Sequence, residues 1–327
     1  MSSKSGALIE LSNVSKVYPS TDEAAVENFS MTVQPGELVM LVGPSGCGKT
    51  TTMKMINRII EPSSGSIKID GRDILSLDQN ELRRGIGYVI QQIGLFPHMT
   101  VAENIATVPR LLGWDKNKIE ARVKEMLDVV QLDPSVFAER YPRQLSGGQQ
   151  QRVGVARALS ADPPVMLMDE PFGATDPITR EKLQAEFQRL QASIGKSIVF
   201  VTHDFEEAIK LGDRIAVLSK RSKIEQLDTP ANILANPANE YVSSFIGEGA
   251  ALKRLALMPV SEALLSNRVE SKLKVDANQN LRVALDSILL AGGQPLGVSQ
   301  NGQLIGSVSI ESISSALGVD VSKLGGN

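Results

Sequence analysis

A short apolar run, a glycine-rich turn and a helical pattern follow one another near the start of the chain. The run is ELVMLVG (37–43), the turn is GPSGCGKTT (43–51), and the pattern that follows is carried by Met53, Ile56, Ile59 and Ile60. Short runs that are apolar on both faces are typical of strands buried inside a sheet. The order of strand, glycine turn and helix therefore predicts an α/β fold whose first turn is built to hold an anion.

The glycine turn matches the pattern G-x-x-x-x-G-K-[ST], whose chemistry is the binding of nucleotide phosphates. Glycines let successive backbone N–H groups point at one anion, and the helix N-terminus adds the positive end of its dipole. Lys49 can reach the β- and γ-phosphates, and the Thr50 hydroxyl can ligate Mg²⁺. The predicted nucleotide contacts are Gly43, Ser45, Gly46, Cys47, Gly48, Lys49, Thr50 and Thr51, with Cys47 acting mainly through its backbone and its thiol near the nucleotide.

Further apolar runs predict the rest of the sheet and a helical insertion. VMLMDE (165–170), SIVFVTH (197–203) and RIAVLS (214–219) have the character of buried strands, with helices on both faces of the sheet. Residues from about 100 to 160 are predicted to form a mostly helical subdomain, because apolar residues recur there at helical spacing: Ile119, Val123, Met126, Leu127 and Val130. The stretch DFEEAIKLG predicts a short helix. Asp204 is expected to be its N-cap and Glu207 to complete a capping box, and Gly212 lies where a helix commonly ends in glycine.

A change of pattern near FIGEGAALKR (245–254) divides the chain into a domain over 1–247 and a tail over 248–327. In the tail, apolar spacing from Leu281 to Leu289 predicts a helix. Asn301–Gly302 predicts a tight hairpin between two apolar runs, because both residues tolerate positive φ. A last short helix runs through Leu317, so the tail is expected to be a small α+β domain.

Composition excludes several classes of protein. The net charge is -3 without a long basic run, which argues against a nucleic-acid or anionic membrane surface. The single cysteine, Cys47, cannot form an internal disulfide and fits a reducing, cytoplasmic setting. The first ten residues show no secretory signal, and the longest apolar runs fall far short of the roughly 20 residues of a membrane span. We expect a chain that touches a membrane protein without spanning the bilayer.

The run VMLMDE ends in two acids, which burial alone does not explain because an unpartnered buried charge is costly. Asp169 is predicted to hold Mg²⁺, and Glu170 to orient and polarise an attacking water. The alternative is a strand end that reaches solvent with two ordinary surface acids. The phosphate loop upstream favours the catalytic interpretation.

A second glycine pair lies in LSGGQQQR (145–152), for which core packing offers no evident reason. Gly147 and Gly148 precede a helix whose apolar face is Val153, Ala156 and Leu159, so this is a second anion site at a helix N-terminus. Two such sites serve one nucleotide only if the fold brings them together or if two copies of the chain face each other. Sequence physics alone leaves both possibilities open.

GPSGCGKT, LSGGQ, VMLMDE and a histidine after the next strand, in that order, resemble the ATPase subunit of an ABC transporter over residues 7 to about 247. The resemblance implies a P-loop nucleotide-binding domain with a mixed sheet, which binds ATP and Mg²⁺ and hydrolyses ATP. It also implies that two subunits close head to tail over two ATP molecules. The partner's nucleotide would then be capped by the signature residues Ser146, Gly147, Gly148 and Gln149.

Several further residues of this sequence match functional positions of the family. Tyr18 resembles the aromatic residue that stacks on adenine, and Gln91 the glutamine that contacts Mg²⁺ and senses the membrane subunit. Gln92 is adjacent, and the spacing to LFPH favours Gln91. His203 resembles the histidine that holds the γ-phosphate and the water. Asp176 resembles the aspartate that crosses the dimer interface, although Thr175 stands where the family usually has leucine. The catalytic set is thus Glu170, His203, Gln91 and Lys49, and the metal set Thr50, Gln91 and Asp169.

Three stretches resemble importer ATPases for quaternary-amine osmoprotectants such as glycine betaine, carnitine or choline: TTMKMINRIIEPSSG, IGLFPHMTVAENIATVP and RYPRQLSGGQQQRVGVARAL. The tail resembles one CBS module, with Ser312 in place of the aspartate that holds ribose, so a dimerising role is favoured over nucleotide sensing. The implied partners are a second copy, permease subunits at the cytoplasmic face of the membrane and, indirectly, an extracytoplasmic solute-binding protein. An importer for amino acids or another small solute, and a soluble non-transport ABC ATPase, are the alternatives.

Overall fold

The computed structural model describes residues 6–19, 21–91, 94–173, 175–266 and 273–318. By its internal contacts the chain divides into two compact units, residues 1–230 and 231–327. The predicted boundary after residue 247 lies further along the chain. The division into a domain over 1–247 and a tail over 248–327 stays a prediction.

The first unit alternates strands and helices. Its strands are β1 (Ile9–Val17), β2 (Ala24–Val33), β3 (Leu38–Val42), β4 (Ser64–Ile69), β5 (Arg72–Asp73), β6 (Ile86–Val89), β7 (Val165–Asp169), β8 (Ser197–Thr202), β9 (Arg214–Leu218) and β10 (Ile224–Asp228). Its helices are α1 (Lys49–Ile56), α2 (Gln79–Arg84), α3 (Val101–Leu111), α4 (Lys116–Val129), α5 (Pro134–Phe137), α6 (Gly147–Leu159), α7 (Pro177–Ile194) and α8 (Phe205–Leu211).

Six strands form the main sheet in the order β10-β9-β3-β8-β7-β6. Strands β9, β3, β8, β7 and β6 are parallel, and β10 is an antiparallel edge. Every residue of β3, β7 and β8 is buried, as expected for strands covered on both faces. The four apolar runs singled out in the sequence are therefore confirmed as parallel core strands.

A second sheet, in the order β2-β1-β4-β5, is antiparallel throughout. Its inward residues share one hydrophobic cluster with the main sheet and α1, including Ile9, Phe29, Met53 and Leu167. The sequence did not single out these strands, because their buried positions alternate with exposed ones and give a weaker signal than a continuous apolar run.

Helices α3 to α6 occupy the stretch between β6 and β7 that was predicted to be helical. In α4 the predicted face is inward, since Val123, Met126 and Leu127 are buried. Helix α6 is amphipathic and lies against both α3 and α4. The signature segment is thus held at the start of a packed helix.

The cap of α8 differs in part from the sequence prediction. Asp204 accepts from the backbone N–H groups of Glu206 at 2.9 Å and Glu207 at 3.2 Å, as an N-cap should. The predicted capping box is wrong, because the buried Glu207 carboxylate instead accepts from Nε2 of Gln184 on α7 at 3.0 Å. Gly212 is the C-cap of α8, as its position predicted, with extended backbone at a φ of -79°.

The second unit begins within α9 (Pro230–Ala235) and has its own hydrophobic cluster. Its elements are α10 (Glu240–Ile246), α11 (Ala250–Leu257), β11 (Lys274–Asp276), α12 (Leu281–Leu290), β12 (Leu296–Gln300), β13 (Gln303–Val308) and α13 (Ile310–Ala316). The three strands form a sheet in the order β11-β12-β13. Asn301 and Gly302 join β12 to β13 with φ angles of 51° and 81°, which confirms the predicted hairpin turn.

Candidate functional site

The phosphate loop connects β3 to α1 and is shaped by three glycines. Gly46 and Gly48 have φ angles of 79° and 110°, which side-chain-bearing residues rarely adopt. A methyl group on Gly43 would collide with the backbone oxygen of Leu218, so this glycine lets the loop lie against β9. Ser45 is exposed, and Thr50 and Thr51 lie half-buried in the first turn of α1.

Lys49 is folded back over this loop. Its side chain is buried, with 5% of the residue exposed, and Nζ donates to the carbonyls of Gly43 at 2.7 Å and Pro44 at 2.9 Å. No carboxylate is paired with it among the salt bridges of the described residues. The loop therefore holds a net positive charge, which suits a phosphate ligand.

Cys47 turns its side chain away from solvent. The residue is 3% exposed, belongs to the hydrophobic cluster beneath the loop and has Sγ 3.9 Å from Nζ of Lys49. Its contribution to the loop surface is therefore its backbone, and the thiol is protected by the core.

Asp169 ends β7 next to the start of α1. One carboxylate oxygen accepts from the Thr50 hydroxyl at 3.1 Å, and the residue is 5% exposed. Burial raises the pKa of Asp169, against a smaller lowering effect of the Thr50 hydrogen bond and with a further raising effect of nearby Glu170. A carboxylate held at this cost is one that a cation would stabilise.

Glu170 follows Asp169 with a φ of 43°, a left-handed conformation for a residue with a side chain. Its N–H donates to the carbonyl of Val201 on β8 at 2.9 Å, which fixes this backbone geometry. Strained backbone of this kind persists where the surrounding structure fixes it, often at functional sites. Here it aims the carboxylate across the carboxyl edge of the sheet.

Three predicted catalytic residues meet at that edge. Oε2 of Glu170 lies 3.1 Å from Nε2 of Gln91 and 3.1 Å from Nδ1 of His203. Gln91 comes shortly after β6, Glu170 directly after β7 and His203 directly after β8, and these strands are neighbours in the sheet. Their side chains converge because the carboxyl ends of parallel strands lie at one edge, where open α/β sheets bind ligands. Gln92 lies outside the described residues.

The signature segment has local contacts of its own. Ser146 caps α6 and forms a capping box with Gln149, with N–H to oxygen distances of 3.0 and 3.3 Å. A methyl group on Gly147 would meet no atom of the described residues within 4 Å, so this turn faces open space among them. Gly148 is different, because a methyl group there would lie 3.1 Å from Thr179 and 3.7 Å from Leu183 of α7. The sequence analysis found no packing reason for the segment LSGGQQQR (145–152), and this is wrong at Gly148, which packs closely against α7.

No hydrogen bond or ion pair between described residues joins 146–149 to the phosphate loop. The intrachain contacts thus join Thr50, the residue after Lys49, to Asp169, and join Gln91 and His203 to Glu170. They leave the signature turn separate from both.

The remaining predicted positions lie at the ends of elements. Tyr18 is half-buried after β1, with Nζ of Lys16 5.5 Å from the centre of its ring. Asp176 is the N-cap of α7 and accepts from Thr179 N–H at 3.0 Å. Hydrogen bonding by the Thr179 side chain, and then by its backbone N–H, lowers the pKa of Asp176. Thr175 donates its hydroxyl to the carbonyl of Phe172 at 2.7 Å, a turn-closing bond that leucine could not make.

Tyr88 lies near Asp169, and the sequence analysis did not identify it as a neighbour of the candidate site. It lies on β6, and burial followed by the charge of Asp169 raises its pKa to about 12. A neutral phenol is thereby kept beside the acidic end of β7. Its neighbourhood depends on the pairing of β6 with β7, which are separated by a long helical insertion, so no local pattern announces it.

The oxygen donors here fit Mg²⁺ better than a transition metal. Among the residues that the structure describes, no cluster of three or more His, Cys, Asp or Glu side chains could hold a metal ion. Thr50 and Asp169 supply a hydroxyl and a carboxylate side by side, and Mg²⁺ is commonly held by one or two such protein oxygens together with water and phosphates.

Known proteins resemble this chain in sequence and in fold. The ABC transporter family profile matches residues 26–173. The glycine betaine/carnitine/choline transport ATP-binding protein OpuCA of Bacillus subtilis is 58% identical over 74% of this chain. The glycine betaine uptake system ATP-binding protein YehX of Escherichia coli is 44% identical over 94% of this chain and 99% of its own length.

The alignment covers 63% of the length of the Bacillus subtilis protein. Among solved structures, a dimeric post-hydrolysis state of the ATP-binding cassette MJ0796 bound to ADP and Pi is similar, with a TM-score of 0.60 and 37% identity. It covers 68% of this chain and 98% of its own. In the described part of the chain, every helix is too short or too polar to cross a membrane. From its motifs, its sheet and these relatives, the chain belongs to the ATP-binding proteins of ABC transporters.

Proposed function

We propose that this chain is the ATP-hydrolysing, energy-coupling subunit of an importer for quaternary-amine osmoprotectants. The observation that carries the proposal is the convergence of Gln91 and His203 on one oxygen of Glu170, each 3.1 Å away. This arrangement supplies a base with two polar neighbours at the edge of the sheet where α/β folds bind ligands.

The nucleotide would lie with its phosphates over residues 43–51. The buried ammonium of Lys49 faces two loop carbonyls, and contact with the β- and γ-phosphates would replace these weak partners with full negative charges. Tyr18 would stack on the adenine ring. Thr50, Asp169 and Gln91 would hold Mg²⁺, which when bound would neutralise the charge that develops on the phosphates.

Glu170 would act as the general base. Its carboxylate would orient a water, take its proton as the water oxygen bonds to the γ-phosphorus, and thereby assist cleavage of the bond to the bridging oxygen. His203 lies with Nδ1 against Glu170, which would leave Nε2 to contact the γ-phosphate. Gln91 would position the same water and change contacts when the permease moves.

Hydrolysis would need two copies of the chain. Among the residues that the structure describes, the signature turn at Ser146 and Gly147 makes only local hydrogen bonds and faces open space at Gly147. A second copy placed head to tail would bring this turn, with Gly148, Gln149 and Asp176, to the γ-phosphate of the first. The dimeric form of the related cassette MJ0796 supports this assembly.

The solute class follows from the named relatives. OpuCA and YehX are named for glycine betaine, carnitine or choline transport, and the osmoprotectant import ATP-binding protein OsmV of Salmonella typhimurium is 54% identical over 78% of this chain. Permease subunits and a solute-binding protein would complete the importer, with this chain on the cytoplasmic face.

The tail would be a CBS-like module that dimerises without binding a nucleotide. Its elements β11, α12, β12, β13 and α13 follow the order strand, helix, strand, strand, helix, which is the order expected of a CBS module. Ser312 is buried and forms a capping box with Ser309. Its hydroxyl accepts from the Ser309 N–H at 3.0 Å, and its N–H donates to the Ser309 hydroxyl at 3.2 Å. A ribose-binding aspartate is thus replaced by a helix cap, which supports a structural role.

Uptake measurements test the proposal. Cells in which this gene is deleted should lose high-affinity uptake of radiolabelled glycine betaine, carnitine or choline, and the wild-type gene should restore it. Lys49→Ala should not restore uptake because its phosphate contact is lost. Loss of amino-acid uptake alone would identify a different solute class, and unchanged uptake of every solute would contradict an importer role.

A further inference from the structure

The turn that follows β9 lies against the phosphate loop in a strained conformation. Arg221 and Ser222 have φ angles of 59° and 58°, two consecutive left-handed residues without a glycine. Such a pair is unfavourable for residues with side chains, so the surrounding contacts must hold it in place.

Ser222 is fully buried and directs two donors at one carbonyl of the loop. Its N–H lies 2.6 Å and its hydroxyl 3.1 Å from the oxygen of Cys47. The hydroxyl also lies 3.3 Å from that of Thr52 in α1, which is itself fully buried. The two donors fix the orientation of the peptide that joins Cys47 to Gly48.

That orientation has a consequence for the phosphate site. All described peptide bonds are trans, so the N–H of Gly48 points to the opposite side of the peptide plane from the Cys47 carbonyl. Among the described residues, this N–H donates no hydrogen bond. By holding the carbonyl on one side, Ser222 presents an unused donor on the other.

Two further features maintain the contact. The guanidinium of Arg221 lies 3.2 Å from the Glu27 carboxylate and 3.5 Å from that of Glu23, which ties the strained turn to β2 and the segment before it. A methyl group on Gly48 would collide with the Ser222 hydroxyl, so the bare backbone of Gly48 leaves the space that this side chain occupies.

We propose that Ser222 is a positioning residue for the phosphate loop, which aims the Gly48 N–H at the nucleotide by clamping the Cys47 carbonyl. This inference rests on the proposed ATP-binding function. Ser222, which lies outside every nucleotide-binding motif, would thus contribute to the affinity for ATP. Glu170 and His203, not Ser222, would contact the reacting atoms.

Ser222→Ala removes the hydroxyl and keeps the backbone donor, and Ser222→Gly does the same while relieving the left-handed strain. Both should raise the KM for ATP and the Kd for ATP and ADP about three- to tenfold, the range for one lost hydrogen bond, with kcat changed less than about twofold. Ser219→Ala is the matched control, because the Ser219 hydroxyl lies in the same turn but donates to Glu225 at 2.6 Å. Its KM and Kd should equal those of the wild type.

Thermal unfolding separates this role from general destabilisation. Ser222→Gly should have a Tm at or above that of Ser222→Ala, yet show the same weakened nucleotide binding. Wild-type affinity in both variants would overturn the inference, and so would a fall in kcat with unchanged affinity. If the wild-type protein itself binds no ATP, the proposed function fails, and that result is visible before any variant is made.

Discussion

Nδ1 of His203 lies 3.1 Å from Oε2 of Glu170, the same oxygen that receives the side-chain amide of Gln91. One residue comes from the end of β8 and the other from the end of β7, so their contact is a product of strand pairing. Because Gln91 and His203 both contact the carboxylate of Glu170, that side chain keeps one direction although its backbone is left-handed.

Glu170→Gln should bind ATP normally and hydrolyse it about 10²–10⁴-fold more slowly, because an amide cannot take the proton of the attacking water. The ATP-bound dimer should accumulate, which size-exclusion chromatography with Mg²⁺ and ATP would detect. Glu181→Gln, an exposed acid on α7, is the control. Hydrolysis at the wild-type rate by the Glu170 variant would remove Glu170 from the role of base.

Asp169→Asn should lose hydrolysis by at least about 10²-fold and yet raise the Tm of the nucleotide-free protein at neutral pH. Burial raises the pKa of Asp169, so the folded protein bears the cost of a charged carboxylate above that pKa. The gain in Tm should be greatest above the raised pKa and should shrink as pH falls through it towards the ordinary value of an unfolded aspartate. A variant less stable than the wild type across that range would contradict the burial argument.

Alanine substitutions at Gly147 and Gly148 distinguish a role of the signature turn in dimerisation from a role in packing. Gly147→Ala should leave the Tm unchanged or higher, because its methyl group meets open space and alanine favours the helix, while ATP-dependent dimerisation is lost. Gly148→Ala should be less stable than Gly147→Ala by about 1 kcal/mol or more, because its methyl group crowds Thr179. Equal Tm values for the two would show that α7 yields freely. Normal dimerisation by Gly147→Ala would remove that turn from the interface.

Cys47 should react slowly with iodoacetamide in the folded protein, because its thiol is 3% exposed and packed in the core. The rate should rise sharply in urea. Bound ATP should slow labelling further only by suppressing opening of the loop. Rapid labelling of the native, nucleotide-free protein, measured by mass spectrometry, would show that the thiol faces the site after all.

Deletion of residues 248–327 should leave basal ATPase activity intact, because the proposed active-site residues and the parallel sheet all precede the cut. Comparison with a chain ending at residue 230, the limit of the first compact unit, tests where the domain boundary lies. If the chain ending at residue 247 is insoluble while the chain ending at residue 230 folds, α10 (Glu240–Ile246) belongs with the tail. Loss of ATP hydrolysis in both would mean that the tail supports the catalytic unit.

Local sequence was enough to predict the elements that carry strong signals. The buried runs at β3, β7, β8 and β9 are continuous and apolar, and the phosphate loop has glycines where positive φ is required. The hairpin at Asn301–Gly302 follows from the same backbone preference. Motif order was also enough to indicate the family, because each motif has a fixed place relative to a strand.

Contacts between distant segments were decided only by the fold. Nothing near Glu207 predicts that its carboxylate accepts from Gln184 instead of closing its own helix cap, and nothing near Ser222 predicts that it holds the carbonyl of Cys47. Gly148 likewise gained a packing role only when α6 met α7. The physical reason is that backbone conformation and hydrophobic periodicity are properties of neighbouring residues, and so are written in sequence. Burial and hydrogen-bond partners depend on which segments the sheet brings side by side.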